Sequence, residues 1–484
     1  MRRLFLSIAA IAVISGAPGS RTVGSQAPER ALFGEFPTRN SVSAEKGLPA
    51  TWDAETGVNI LWSEPVGSQS YAGPVVAGGR VFVGTNNGDR NPKIVGDRGV
   101  VMAFDALKGD FLWQMATPKL AAGRVHDWPG QGVCSTPFVE GDRLYYTSNE
   151  AHILALDVAG LKNGNEGLTN ERETSLIDGD VIWSFDLMGE ADVFPHNLAA
   201  SSPLVVDGLV YVTTGNGVDE GHVNLPSPMA PSFLALDQKT GKLVWESAAP
   251  GNKIIHGNWS NAAYGVVKGK PQVVFGGGDG WVYSFEPKTG KLIWEFDANP
   301  KDAVYRLGGS GTKNDIIATP VVYDDKVYVG VGQDPEHGEG VGNLWAIDAS
   351  LTGNISEKGV IWNRGGDDFH RTISTVAIHE GIAYAADLSG FLYALDAGTG
   401  SLFWKHDMLA AVWASPLVAD GKVYLGDEDG DVVVLATGKT KKVLSETNLG
   451  SSVYATPYPK DGVLYVLARN RLFAIKEGAK TASR

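Results

Sequence analysis

Ser202-Pro203-Leu204-Val205-Val206-Asp207-Gly208-Leu209-Val210-Tyr211-Val212, resumed after a variable stretch by Ala235-Leu236-Asp237-Gln238-Lys239-Thr240-Gly241-Lys242-Leu243-Val244-Trp245, is the phrase that decides the architecture. Its first half is two short aliphatic runs meeting at Asp-Gly, the mark of a tight hairpin. Its second half is a strand, an Asp-x-x-Thr-Gly turn and a strand ending in Trp. In that turn Asp accepts bonds from the backbone N–H groups that follow it, and Gly takes the positive φ. Four short strands per phrase follow from the alternation and the turn residues.

The phrase recurs along the chain. Units open near Gly73-Pro74, Thr136-Pro137, Ser202-Pro203, Ser260-Asn261, Thr319-Pro320, Ser374-Thr375, Ser415-Pro416 and Thr456-Pro457. Their fourth strands end in Trp113, Trp183, Trp245, Trp294, Trp362 and Trp404, with Leu444 in the seventh. The eighth unit runs from Val463 to Lys476 and stops after three strands. Asn59-Ile60-Leu61-Trp62 has the fourth-strand pattern with no unit before it, so both ends of the chain are expected to share one blade. A ring of radial sheets exposes edges only where first and last blades fail to meet, and a shared blade locks it. Four-stranded repeats of roughly 40–50 residues are the mark of a propeller. The expected fold is all-β: an eight-bladed β-propeller of four-stranded antiparallel blades, closed by an N-terminal strand in the last blade. Its tryptophans are read as wedges between outer strands, each requiring a partner for its indole N–H.

This phrase resembles the tryptophan-docking repeat of pyrroloquinoline quinone (PQQ) dehydrogenases and of the propeller subunit of the bacterial outer-membrane barrel assembly machine. The resemblance covers roughly residues 56–478. It is specific for fold and not for function, because the fold serves catalytic and non-catalytic members alike.

Met1-Arg2-Arg3, the apolar run from Leu4 to Ile14, and Ser15-Gly16-Ala17-Pro18-Gly19-Ser20 have the three regions of a secretory signal. Residues 1–20 are therefore read as a signal peptide, 21–55 as an N-terminal extension, 56–478 as the propeller and 479–484 as a tail. The expected location is periplasmic or extracellular. No later run approaches the roughly 20 apolar residues that span a bilayer. The 61 glycines, 24 prolines and 43% hydrophobic content suit a turn-rich globular β protein and not a disordered one. A net charge of −14 with dispersed basic residues argues against nucleic acid as a partner. The single Cys134 forms no internal disulfide, and without Cys-x-x-Cys-His there is no covalent c-type haem. Cys134 itself is read as a small buried hydrophobe.

One face should carry the chemistry. First-to-second and third-to-fourth strand turns are terse, whereas the crossings between blades and several second-to-third loops are long. The crossings at 124–132, 189–198, 251–261, 302–317 and 364–372 and the loops at 86–98, 215–231 and 333–342 hold His126, His196, His222, His256, His337 and His370. That is six of nine histidines on one face. Long loops on a rigid scaffold usually carry binding function, and the channel mouth is the natural pocket. His196, Glu220, His222, His256, Asn258, His337 and His370 are the candidate metal ligands, through imidazole for a transition metal or oxygen for a hard cation.

Three functions stay open. An exported binding or assembly scaffold with cell-envelope partners would use the funnel on this face as a ligand site. A quinoprotein dehydrogenase of alcohols or sugars, as the resemblance implies, would hold PQQ with calcium. Its candidates are Arg124, Arg306, Lys313 and Arg371 for the cofactor, Trp259 or Trp413 as stacking floor, Glu220, Asn258 and Asp315 around the cation, and Asp315 as base. Two departures separate the chain from many such enzymes: one cysteine cannot make their adjacent-cysteine disulfide, and without haem an external electron acceptor is needed. A metal-dependent hydrolase or lyase acting on polysaccharide is the third option, with a bound divalent metal.

Overall fold

In the computed structural model, residues 28–88, 94, 96–169, 178–332 and 341–480 are described. The signal-peptide reading of residues 1–20 and the candidate His337 lie outside them. Asp207 and Gly208 both take positive φ (51° and 82°), the primed turn whose twist matches the flanking strands. Leu204–Val206 thereby pairs with Leu209–Thr213, which pairs with Phe233–Asp237 and then Leu243–Ser247. This is blade 3, and the same up-and-down order repeats to give eight blades. The last blade is Val58–Pro65, Arg471–Lys480, Val463–Ala468 and Tyr458–Lys460 from outside to inside, with Trp62 opposite Ala474. The ring is thus closed by the N-terminal strand. Blades 2, 4 and 7 each gain a two-residue fifth strand (Arg30–Ala31, Gly353–Asn354 and Val42–Ser43).

The docking tryptophans bridge consecutive blades. Indole N–H groups of Trp62, Trp113, Trp183, Trp245, Trp362 and Trp404 donate to Ala106, Val158, Gln238, Pro287, Ala397 and Gly438 carbonyls of the next blade, at 2.7–3.0 Å. Blade 4 differs because Gln272 replaces the second-strand aromatic. Trp294 donates to Gln272 Oε1 (2.8 Å), and Gln272 Nε2 relays the link to Ala349 O of blade 5 (3.0 Å). In blade 7, where Leu444 stands, the returning N-terminal segment fills the junction with buried Leu48 and Trp52.

A second belt of bonds encircles the channel. Gly73 N donates to Thr136 Oγ1, Thr136 N to Ser202 Oγ, Ser202 N to Asn261 Oδ1, and Asn261 Nδ2 to Thr319 Oγ1. It continues from Thr319 N to Thr375 Oγ1, Thr375 N to Ser415 Oγ, and Ser415 N to Thr456 Oγ1. From Thr136 to Thr456 the polar residue opening each unit therefore accepts from the unit before it, in six of the seven links from a backbone amide that would otherwise cost about 1–3 kcal/mol.

Of residues 28–55, set apart by sequence as an extension, 30–43 run along the inner strands of the ring and 48–52 lie at the outer junction of blades 7 and 8. Arg30–Ala31 pairs with the inner strand of blade 2. The backbone then bonds blade 4 (Pro37 O to Tyr264 N) and blade 5 (Thr38 O to Val322 N). Asn40 exchanges two bonds with Ile378 of blade 6, and Val42 pairs in parallel with Val418 of blade 7. Arg39 is fully buried and donates to the carbonyls of Phe33, Ser202, Pro203 and Ala262 at 2.7–3.2 Å. The segment is a plug entered and left on the terse-turn side.

Glu35, in the plug, has its carboxyl pushed up to about 7 by burial. Between its ordinary 4.5 and 7 the unfolded chain releases a proton that the folded chain keeps. The contribution of Glu35 to stability is therefore complete below 4.5 and lost as pH rises through 7. Glu35→Gln, which cannot ionise, should melt above wild type at pH 8 and show a flatter melting profile over that window. Superimposable profiles would mean that Glu35 is ionised in the fold.

Candidate functional site

The residue two positions ahead of each unit's small polar opener points into the channel on the long-loop side. These eight are Tyr71, Cys134, Ala200, Trp259, Ile317, Ile373, Trp413 and Tyr454, and all line the same cavity of about 190 Å³ beneath the mouth. Phe33 of the plug closes it from the other side, with the Arg39 guanidinium 5.9 Å from its ring centroid. Above it a cavity of about 270 Å³ shares Tyr71, Cys134, Trp259, Ile317, Ile373 and Trp413, and adds Trp128, Gln131, Asn197 and Leu198 at the rim. The funnel is therefore blind. Tyr71, Trp413 and Tyr454 form one aromatic wall, with centroids 4.9–6.0 Å apart, and Trp259 stands on blade 4 across from it. Burial pushes the Cys134 thiol up to about 12, so it is a wall atom and not a thiolate nucleophile. The larger concavity of about 600 Å³ lies on the terse-turn face, around Lys268, Lys291 and Ser350, near the blade 4–5 junction relayed by Gln272.

The four cations picked out by sequence do not reach this wall. Arg124 stacks on Trp128 at 3.9 Å, and Arg306 is exposed. Arg371 is buried, its Cβ close to Gly332, whose N–H donates to Asp315 O. Neither those two residues nor Lys313 line the funnel. A quinone bearing three carboxylates would meet aromatic and aliphatic groups, the hydroxyl and amide side chains of the belt, and no cation among the described lining residues, which does not suit PQQ. Trp259 and Trp413, by contrast, do lie in the wall.

The metal candidates separate into a cluster and outliers. His196 Nε2 and His256 Nε2 lie 3.2 and 3.4 Å from His222 Nε2. Asn258 is buried and structural: its Nδ2 donates to Asn216 O and Ser232 Oγ, and its Oδ1 accepts from Gly278 N. Glu220 is exposed, outside the cluster. His370 Nδ1 lies 3.3 Å from Asp387 on blade 6. Tyr71, Tyr454 and Phe33 were missed from sequence. The first two are found by reading the register position just ahead of each repeat; Phe33 has no repeat signal.

Fold and docking repeats together define an eight-bladed propeller of the quinoprotein-repeat class. A family model described as "Outer membrane protein assembly factor BamB" matches residues 7–128, 168–364 and 344–475, and the chain belongs to that family. It is 24% identical to the outer membrane protein assembly factor BamB of Yersinia pestis over 422 residues, covering 85% of this chain and 86% of that one. It is 25% identical over 394 residues to the dehydrogenase subunit of a quinone alcohol dehydrogenase of Gluconacetobacter polyoxogenes, covering 70% and 48%. Among solved structures, quinohemoprotein alcohol dehydrogenase from Comamonas testosteroni shares the fold, with a TM-score of 0.64 at 13% identity over 94% of this chain and 81% of that one.

Proposed function

We propose that the protein is an exported, extracytoplasmic binding and assembly propeller that seats an apolar, aromatic-bearing segment of a cell-envelope protein in the funnel. One observation carries the reading: a cavity walled by Tyr71, Trp413, Tyr454 and Trp259 and closed below by Phe33, with Gln131 and Asn197 at its rim and Asn261 and the Ser and Thr hydroxyls of the belt at its base. Partly exposed aromatic side chains around a pocket are the usual anchors of protein recognition. Membership of a family described by an outer-membrane assembly factor supports the compartment and the kind of partner. No helix among the described residues is long and apolar enough to cross a membrane.

The test is titration of the mature chain with an unfolded outer-membrane β-barrel protein, held in dilute urea and followed by Trp fluorescence and calorimetry. Saturable binding is expected, and Trp413→Ala with Tyr71→Ala should weaken it about tenfold or more, since each anchor is worth more than about 1 kcal/mol. Unchanged melting temperatures for the variants would show that the loss is local. Equal binding by wild type and double variant overturns the funnel assignment. Micromolar binding of PQQ with calcium, followed by dye reduction with an alcohol, would instead establish the dehydrogenase reading.

A further inference from the structure

Beside the funnel, three loops deliver three imidazoles to one point. His196 comes from the crossing between blades 2 and 3, His222 from the second-to-third loop of blade 3, and His256 from the crossing between blades 3 and 4. Their ligand atoms all lie within 4.8 Å of one another, the one such group of three found among the described residues. We propose that His196, His222 and His256 bind one divalent transition-metal ion of the zinc type. This goes beyond the funnel reading and does not depend on it.

The spacing is the first argument. Zinc sits about 2.0–2.1 Å from imidazole nitrogen, so in a tetrahedral site ligand nitrogens stand roughly 3.3–3.4 Å apart. The two Nε2 separations to His222, 3.2 and 3.4 Å, match that edge, and all three ligand atoms lie within 4.8 Å of one another. Tautomer is the second. His196 Nδ1 lies 2.7 Å from Val218 O, which fixes the proton on Nδ1 and leaves the Nε2 lone pair toward the cluster. An all-nitrogen set selects zinc-type ions over calcium or magnesium, which require oxygen.

Preorganisation is the third. Gly217 lets two loops touch: a Cβ there would stand 2.3 Å from His256 O and 2.7 Å from His196 Cβ. His222 is held at φ 55°, a left-handed conformation that a non-glycine residue adopts at a cost. The turn that imposes it is gathered by Asp219, whose carboxylate accepts from Val223 N, Asn224 N and Asn224 Nδ2. Gly308 of the next crossing presses on His222, where a Cβ would fall 2.5 Å from His222 Cβ. Trp259 backs the cluster, its ring 5.0 Å from His256 and 6.0 Å from His196. His196 and His256 are buried and His222 is half-buried.

The experiment uses the mature chain without a histidine tag, stripped with chelator, loaded with zinc and dialysed. Elemental analysis should give one zinc per chain, and cobalt in its place should give the visible bands of a tetrahedral site. His222→Asn, which tolerates the left-handed backbone, should lose at least nine-tenths of the metal while keeping the wild-type circular dichroism. His256→Gln gives a second reading should the first variant misfold. Wild type that retains no metal, or a His222→Asn protein that retains as much as wild type, overturns the site and leaves three imidazoles hydrogen-bonded among themselves.

Discussion

Arg39→Met should be among the most destabilising single changes in the molecule, lowering the unfolding free energy by about 3 kcal/mol or more. The guanidinium donates to four carbonyls drawn from the plug and from blades 3 and 4. Methionine fills the volume and removes every donor, and each orphaned carbonyl costs on the order of 1–3 kcal/mol. Relief of a buried charge offsets part of this. Burial lowers the Arg39 pKa to about 9, so the group is still cationic at neutral pH. Arg39→Lys should recover only part of the loss, because three donors on one nitrogen cannot span the fork that the planar guanidinium covers. Denaturant unfolding of the three proteins measures the effect. A Met variant within 0.5 kcal/mol of wild type, roughly the scatter expected of a surface change, would show that the cation does not organise the plug. Because Arg39 also lies over Phe33, the Met variant should loosen the floor of the funnel.

A second large effect separates two left-handed glycines that each follow a Thr. Gly241 follows Thr240 in the turn before the fourth strand of blade 3, and Gly353 follows Thr352 in the short strand beside the outer strand of blade 4, at φ 69° and 79°. A Cβ on Gly241 would lie 2.5 Å from Trp183 Cε3, whereas a Cβ on Gly353 would meet nothing within 4 Å. Both Ala substitutions pay the left-handed backbone cost of about 1–2 kcal/mol. Only Gly241→Ala must also push a buried tryptophan out of the wedge between blades 2 and 3. Its expected total is about 3–5 kcal/mol, the range for losing a large buried side chain, against about 1 for Gly353→Ala. Equal losses at the two sites would mean that tryptophan docking contributes little to the ring. Gly353 carries no such constraint because no docking tryptophan lies against it.

Much of the architecture was legible because it is local and repeated eight times. Asp207-Gly208 announces a hairpin by its own backbone preferences, and the pattern around Trp62 identifies a fourth strand whatever lies beside it. The site was legible only in part. The histidines could be assigned to one face because blade geometry sends alternate connections to opposite faces. Which of them meet depends on how loops from blades 2, 3 and 4 fold over one another, through Gly217, Asn258 and Gly308. Arg124, Arg306, Lys313 and Arg371 carry the charge a quinone would need, yet charge type says nothing of where a loop points its side chain.

By itself the sequence determined what short-range chemistry can specify: eight units, four strands in each, the wedge tryptophans and the shared last blade. Tertiary structure alone decided that residues 30–43 run along the inner strands of the ring, that Phe33 closes the funnel from below, and that His196, His222 and His256 converge. Periodic signals survive in a linear reading because each copy repeats the same local forces. Plug and cluster occur once, and their energies come from contacts between segments far apart in the chain, as in the bonds from Arg39 to Ser202 and Ala262.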